Sequence, residues 1–142
     1  MTWTVNRAGH VIIVEDDDAT REMLKTLLAE AGFHAVAAED GLEALHLLRA
    51  VRHCEPAVPC LVLLDLNMPR LGGTEFRRAQ LIDPVVNGVP VAILSGAQDA
   101  AQWARTLGAV ATLSKPIDFD ALLSVVHRHC GASASLSSGP GL

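Results

Sequence analysis

The sequence of 142 residues lacks several features that would place it in particular classes of protein. No apolar run approaches the roughly 18 residues that a membrane-spanning helix needs. The first nine residues, MTWTVNRAG, lack the apolar core of a signal peptide. The eleven Lys and Arg residues form no basic cluster, and the formal net charge is −5. These absences argue against a membrane or nucleic acid as a direct partner, and we expect a soluble, cytoplasmic protein.

Cysteine is also scarce, with Cys54, Cys60 and Cys130 as the three examples. Three cysteines, one of which opens an apolar run, suit a reducing compartment better than a disulfide framework. The stretch HCEPAVPC offers two thiols and an imidazole to a metal. Because a fourth ligand is missing and the spacing fits no common zinc site, we expect no metal there.

Strand-like and helix-like segments alternate strictly from His10 to about Cys130. Five apolar runs predict strands at 11–14, 34–38, 61–64, 91–94 and 109–113. Apolar residues at helical spacing follow each run, and three positions suit helix caps: Asp17 or Asp18, Asp40, and Thr74. Strands that are apolar on both faces predict an α/β fold with a doubly wound parallel sheet. We expect one domain at 10–130, an extension at 1–9 and a disordered Gly/Ser-rich tail at 131–142.

Carboxylates follow two of the predicted strands. Glu15 and Asp16 follow the first, and Asp65 follows the third. Ligands of parallel α/β sheets bind outside the carboxyl ends of the strands, so these acids converge if the two strands are neighbours. Two like charges about 5 Å apart repel by roughly 3 kcal/mol at an effective dielectric constant of about 20, and such a cluster therefore needs a cation or a proton. Oxygen ligands of this kind suit Mg²⁺.

The last two strands add complementary groups. Ser95 follows the fourth strand, and Lys115 follows the fifth. Each residue alone has an ordinary interpretation, as a helix cap, a turn residue or a solvated charge. Together at one edge of a sheet, carboxylates, a hydroxyl and a lysine describe a place where a phosphoryl group is held, and the central carboxylate can itself be the nucleophile.

The motifs VIIVEDD, LVLLDLNMPRLGG, ILSG and SKP, in this order, resemble those of the receiver domain of bacterial two-component response regulators. The resemblance implies a flavodoxin-like fold of five helices and five parallel strands in the order 2-1-3-4-5. It makes Asp65 the phosphoacceptor, Ser95 the switch hydroxyl and Lys115 the phosphate-binding lysine. In many receivers the peptide bond that corresponds to Lys115–Pro116 is cis.

The resemblance also implies the metal ligands. Glu15, Asp16, Asp65 and the backbone carbonyl of Asn67 would hold Mg²⁺. Asn67 and Ala97 would flank the path of the water that removes the phosphoryl group, and they would therefore help to set the lifetime of the signal.

The partners implied by the resemblance are a histidine kinase or a histidine phosphotransfer protein upstream and a protein target downstream. Phosphorylation would switch the surface made by the fourth helix, the fifth strand and the fifth helix. The chain would act as a monomer or as a phosphorylation-dependent homodimer, without direct contact to nucleic acid or membrane. It could stand alone or belong to a longer hybrid kinase, and both alternatives stay open.

One position departs from the family pattern. Receivers usually carry Tyr or Phe three residues before the lysine, where this chain has Thr112. One hypothesis is that Thr112 is an ordinary strand residue and that backbone shifts transmit the signal. The alternative is that Trp103, on the fourth helix, reports or replaces the missing aromatic packing.

Two other functions compete with a phosphorylatable signalling module. A Mg²⁺-dependent phosphohydrolase with an aspartyl nucleophile usually carries a second acid two residues after it, where this chain has Asn67. A binding module that keeps the fold without phosphorylation has no need of all five residues Glu15, Asp16, Asp65, Ser95 and Lys115. Both comparisons favour the signalling module, which catalyses only its own phosphorylation and dephosphorylation.

Overall fold

The computed structural model describes residues 10–53, 59–66, 72–96 and 100–131. The strands are β1 (His10–Val14), β2 (His34–Ala38), β3 (Pro59–Asp65), β4 (Val91–Ser95) and β5 (Ala111–Ser114). The helices are α1 (Asp18–Glu30), α2 (Gly41–His53), α3 (Gly73–Leu81), α4 (Ala100–Leu107) and α5 (Phe119–Cys130). Strand bounds differ from the predicted ones by two residues at most. None of these helices is both long and apolar enough to cross a bilayer.

The five strands form one parallel sheet in the order β2-β1-β3-β4-β5, which confirms the fold predicted from the sequence. Alternate strand residues point to opposite faces. Each central strand therefore contributes side chains to two hydrophobic cores, one on each face of the sheet. One face packs under α1 and α5 and includes Val11, Ile13, Leu61, Leu63, Leu24 and Leu122. The other face packs under α2 and α3 and includes Ile12, Val14, Val62, Leu64, Leu48 and Phe76. Burial on both faces explains the continuous apolar runs in β1, β3 and β4.

The helix caps are mostly those expected. Asp17 caps α1, where its side chain accepts a hydrogen bond from the backbone amide of Thr20 at 2.9 Å, and Asp40 precedes α2 in the same role. The prediction that Thr74 caps α3 is wrong. The extended residue Gly72 occupies the N-cap, so the helix starts one residue before Thr74.

The expectation that the cysteines form no disulfide framework is wrong for two of them. Cys60, in β3, and Cys130, the last residue of α5, form a disulfide with their Cα atoms 5.3 Å apart. The physical reason is that α5 packs back across β3 and brings its last turn to the start of that strand, although the two residues are 70 positions apart in sequence. Cys54 lies outside the described residues, and so do the extension at 1–9 and the tail from 132 onward.

Candidate functional site

The register of the central strands brings the predicted acids together at the carboxyl edge of the sheet. Val14 of β1 pairs with Leu64 of β3. The residues that follow them, Glu15 and Asp65, therefore lie side by side. One carboxylate oxygen from each of Glu15, Asp16 and Asp65 lies within 4.8 Å of the others. The structure therefore contains a cluster of three carboxylates where the sequence pattern had placed it.

A lysine neutralises part of this cluster. The Nζ atom of Lys115 lies 3.0 Å from Oε1 of Glu15 and 3.4 Å from Oδ2 of Asp65. Both carboxylates are buried, with side chains 1 % and 2 % exposed, whereas Asp16 faces solvent. The backbone amide of Lys115 donates to the carbonyl of Ser95 at 3.1 Å, which fixes the start of the lysine side chain beside β4. The single ammonium group of Lys115 thus pairs with two buried carboxyl groups.

The electrostatics of the cluster show that it is short of positive charge. Burial and, to a smaller extent, the nearby carboxylate of Asp65 raise the pKa of Glu15 to about 7, although the Asp17 backbone amide and Lys115 act in the opposite direction. Burial alone would lower the pKa of Lys115, but Glu15 and Asp65 outweigh it and the pKa is raised. The cluster therefore holds an extra proton near neutral pH or takes up another cation.

Ser95 and Thr112 occupy different environments. Ser95 is the last residue of β4 and is 1 % exposed, one position beyond Leu94, which pairs with Asp65. Thr112 is exposed on β5, and its side chain has no aromatic ring that could be buried there. Trp103 on α4 is 37 % exposed.

Two predicted site residues are not placed. Asn67 and Ala97 lie outside the described residues, and their roles as metal ligand and as neighbours of the attacking water stay predictions. The Lys115–Pro116 bond is cis, as the resemblance had implied.

Two residues near the cluster were missed by sequence reasoning. Arg21 of α1 donates from Nη1 to the carbonyl oxygen of Glu15 at 2.9 Å, which ties the end of β1 to the helix above it. Gly73 lies so close to β3 that a Cβ atom on it would be 2.8 Å from the carbonyl oxygen of Asp65. The Gly-Gly pair after the third strand is the sequence feature that could have indicated this close approach, because glycine has no Cβ atom.

The fold and the edge cluster together define the class of protein. A doubly wound parallel sheet in the order 2-1-3-4-5, with functional groups at the carboxyl ends of its strands, is the flavodoxin-like arrangement. The family model of the response regulator receiver domain matches residues 11–127. The chain belongs to this family of two-component receiver domains.

Similar proteins include two of comparable length and one that is much longer. Sporulation initiation phosphotransferase F of Bacillus subtilis is 30 % identical over 120 residues, covering 84 % of this chain and 91 % of that protein. Regulatory protein AtoC of Escherichia coli is 33 % identical over 124 residues, but only 25 % of its length is covered. Among solved structures, the chemotaxis protein CheY4 of Vibrio cholerae superposes with a TM-score of 0.74 at 28 % identity, covering 85 % of this chain and 98 % of that one.

Proposed function

We propose that the chain is a phosphoacceptor domain, spanning 10–130, of a two-component or phosphorelay pathway. Asp65 would accept the phosphoryl group from a phosphohistidine on a histidine kinase or a histidine phosphotransfer protein. The observation that carries this proposal is the position of Lys115, with Nζ 3.4 Å from the Asp65 carboxylate and 3.0 Å from Glu15. An ammonium group held against the nucleophile can pair with the oxygens of an arriving phosphoryl group.

The residues at this edge fit Mg²⁺. Glu15, Asp16 and Asp65 present only oxygen atoms within a small space, and two of these acids are buried beside a single lysine. Asn67 would add its backbone carbonyl. Bound Mg²⁺ would offset the negative charge of the phosphoryl oxygens as the acceptor carboxylate approaches them.

The transfer step needs little else from the protein. An oxygen of Asp65 attacks phosphorus in line, the phosphorus–nitrogen bond of phosphohistidine breaks, and the imidazole leaves with the bonding electron pair. The acyl phosphate then replaces the carboxylate as the partner of Lys115. Ser95, buried at the end of β4, lies on the strand next to β3 and would turn its hydroxyl toward the new oxygens.

The output would be a shift of the surface formed by α4, β5 and α5, which binds a downstream protein target or a second copy of the chain. Position 112 carries an exposed threonine and no aromatic ring. We therefore infer that movement of the backbone around Ser95, rather than burial of a ring, transmits the change. Monomer and phosphorylation-dependent homodimer both fit this scheme. The scheme involves no direct contact with nucleic acid or membrane, and it places the chain in the cytoplasm.

The decisive experiment is incubation of the full chain with Mg²⁺ and acetyl phosphate, followed by intact mass measurement and peptide mapping. We expect one added phosphoryl group on Asp65. Asp65→Asn should abolish the modification, whereas Glu22→Gln, an exposed acid on α1, should not change it. Absence of the adduct on the unmodified chain, or its location on another residue, would refute the proposal.

The same preparation distinguishes the competing functions. A phosphohydrolase would release phosphate from a generic phosphate ester in repeated turnovers. A binding module without phosphorylation would give no adduct at all. We expect neither result, because the proposed domain acts only on its own acyl phosphate.

A further inference from the structure

The disulfide lies at the edge of the sheet opposite to the acid cluster. Cys60 is the second residue of β3, and Asp65 is its last residue. Five strand positions at about 3.3 Å each separate the two by roughly 16 Å. Oxidation or reduction of the two cysteines can therefore proceed without contact with the candidate phosphoacceptor, Asp65.

Contacts other than this covalent bond also hold α5 on the sheet. Leu122, Val125 and Val126 of α5 are buried in the same apolar cluster as the two cysteines, and they dock the helix by themselves. Five strands pair continuously across the sheet. A domain of this size supplies a sufficient apolar core, unlike the small scaffolds that need covalent staples.

The two cysteine residues differ in burial. Cys130 is 7 % exposed, whereas Cys60 is only partly buried at the start of its strand. If a small thiol reaches the disulfide, the Cys60 side is therefore the less covered one. Access of this kind is what separates exchangeable disulfides from inert structural ones.

We propose that Cys60 and Cys130 form a reversible redox site, which fixes the last turn of α5 to the start of β3 when oxidised and releases it when reduced. This goes beyond the proposed phosphoacceptor function and takes from it only the cytoplasmic location. Intracellular disulfides, where they occur, are most often of this reversible kind.

The exchange needs only a low-molecular-weight thiol and its disulfide. A thiolate attacks Sγ of Cys60 and forms a mixed disulfide, while Sγ of Cys130 leaves as a thiolate and takes up a proton. A second thiol attacks the external sulfur of the mixed disulfide, which frees Cys60 as a thiol and yields the oxidised form of the small molecule. Two electrons pass from two thiols to the protein disulfide, and the reverse sequence oxidises the protein.

The consequence concerns the last turn of α5. The helix ends at Cys130, and Gly131 follows with a φ of +76°, so the bond holds the final helical residue rather than the loop beyond it. Reduction leaves the upper turns docked through Leu122 and Val126. We therefore expect local loosening at the C-terminal turn without loss of the fold.

The test equilibrates the full native chain in glutathione buffers of increasing oxidised fraction. Free thiols are then trapped with a maleimide and counted by mass, and the bridged peptide is mapped. We expect two thiols to disappear and return reversibly, within a peptide pair containing Cys60 and Cys130. Cys54→Ser should keep this behaviour, whereas Cys60→Ser and Cys130→Ser should abolish it.

Hydrogen exchange of the reduced and oxidised chains provides the second readout. Amides of the last turn of α5 should exchange at least severalfold faster after reduction, while those of β1 and β3 stay protected. Three outcomes would overturn the proposal: unfolding of the chain on reduction, a native disulfide that resists glutathione, or pairing through Cys54. Since the first readout uses the unmodified chain, failure of a variant to fold does not affect it.

Discussion

Arg77 of α3 donates from Nε to the carbonyl oxygen of Leu107, 2.8 Å away at the C-terminal end of α4. The same buried guanidinium donates to the carbonyl of Gly108 at 3.2 Å and to Oε1 of Gln80 at 2.6 Å. Burial lowers the pKa of Arg77. The acceptors described are uncharged oxygens, two of them at the negative end of the α4 dipole, which stabilises the cation there. This contact fixes one end of α4, a helix that forms part of the proposed output surface.

Replacing Arg77 by alanine should lower the free energy of unfolding by about 3 kcal/mol, because two buried oxygens, those of Leu107 and Gln80, and the partly buried carbonyl of Gly108 would lose their donor. Urea denaturation followed by circular dichroism measures this loss. The matched control is Arg78→Ala, one residue further on the same helix, where the side chain is exposed. We expect that control to stay within about 0.5 kcal/mol of the unmodified chain. Equal losses in the two variants would show that the Arg77 contacts contribute nothing specific.

Much of the fold follows from local sequence signals. The apolar runs of β1 and β3 end in acids, and parallel strands place such ends at one edge, so the convergence of Glu15 and Asp65 needed only the strand order. The cap at Asp17 is equally local. The disulfide was beyond such reasoning because Cys60 and Cys130 meet only through the packing of α5 on β3.

Contacts between separate helices were equally unpredictable. Arg77 looks like any surface arginine in the sequence, and only the approach of α3 to the end of α4 buries it. The start of α3 was misplaced for a related reason. Thr74 has a favourable side chain for a cap, but the close packing of Gly73 on the end of β3 decides where the helix begins.

Removing a charge from the cluster should stabilise the metal-free chain. At an effective dielectric constant of about 20, the buried Glu15 within 4.8 Å repels the Asp65 carboxylate by roughly 3.5 kcal/mol, and the exposed Asp16 adds a smaller repulsion that solvent screens. Lys115 at 3.4 Å attracts that carboxylate by roughly 5 kcal/mol, so repulsion together with the cost of burial wins. We expect Asp65→Asn to raise the unfolding temperature at pH 8 in the presence of a chelator.

The comparison for this variant is Glu22→Gln, which removes an exposed carboxylate with a side chain 65 % accessible. That change should leave the unfolding temperature nearly unaltered. Saturating Mg²⁺ should reduce the advantage of Asp65→Asn, because the cation offsets the repulsion in the unmodified chain. A lower unfolding temperature for Asp65→Asn than for Glu22→Gln would contradict the repulsion argument.

Binding of Mg²⁺ should depend on pH through Glu15. Its pKa is raised to about 7, so the folded chain holds this proton at pH 6 and has lost most of it at pH 8. A metal ligand must be deprotonated, and affinity should therefore rise with pH, by at most about tenfold per unit below pH 7, and level off above it. Calorimetry in two buffers of different ionisation enthalpy measures both the affinity and the proton released.

The variant Glu15→Gln should bind Mg²⁺ more weakly, and its affinity should change much less between pH 6 and pH 8. Asp18→Asn provides the control, since Asp18 is an exposed acid at the start of α1. It should keep the pH dependence of the unmodified chain. An affinity independent of pH in the unmodified chain would show that Glu15 is already ionised at pH 6.

The close approach of Gly73 to β3 gives a sharp steric prediction. A Cβ atom at this position would lie 2.8 Å from the carbonyl oxygen of Asp65 and 2.8 Å from Cα of Leu66, distances at which the backbone must move. Gly73→Ala should therefore cost about 1–3 kcal/mol of stability, as overpacking of a rigid site does. It should also slow phosphorylation of Asp65 by acetyl phosphate, because the shift acts directly on that residue.

Gly88→Ala is the matched control, since a Cβ atom there would meet nothing within 4 Å. An alanine in open space, at a backbone conformation it can adopt, is neutral or slightly stabilising because it restricts the unfolded chain. Urea unfolding and the rate of acetyl phosphate labelling should both separate the two variants. Equal stability and equal labelling of Gly73→Ala and Gly88→Ala would contradict this prediction. The backbone at the end of β3 could then shift without cost, and the position of Asp65 would not depend on the start of α3.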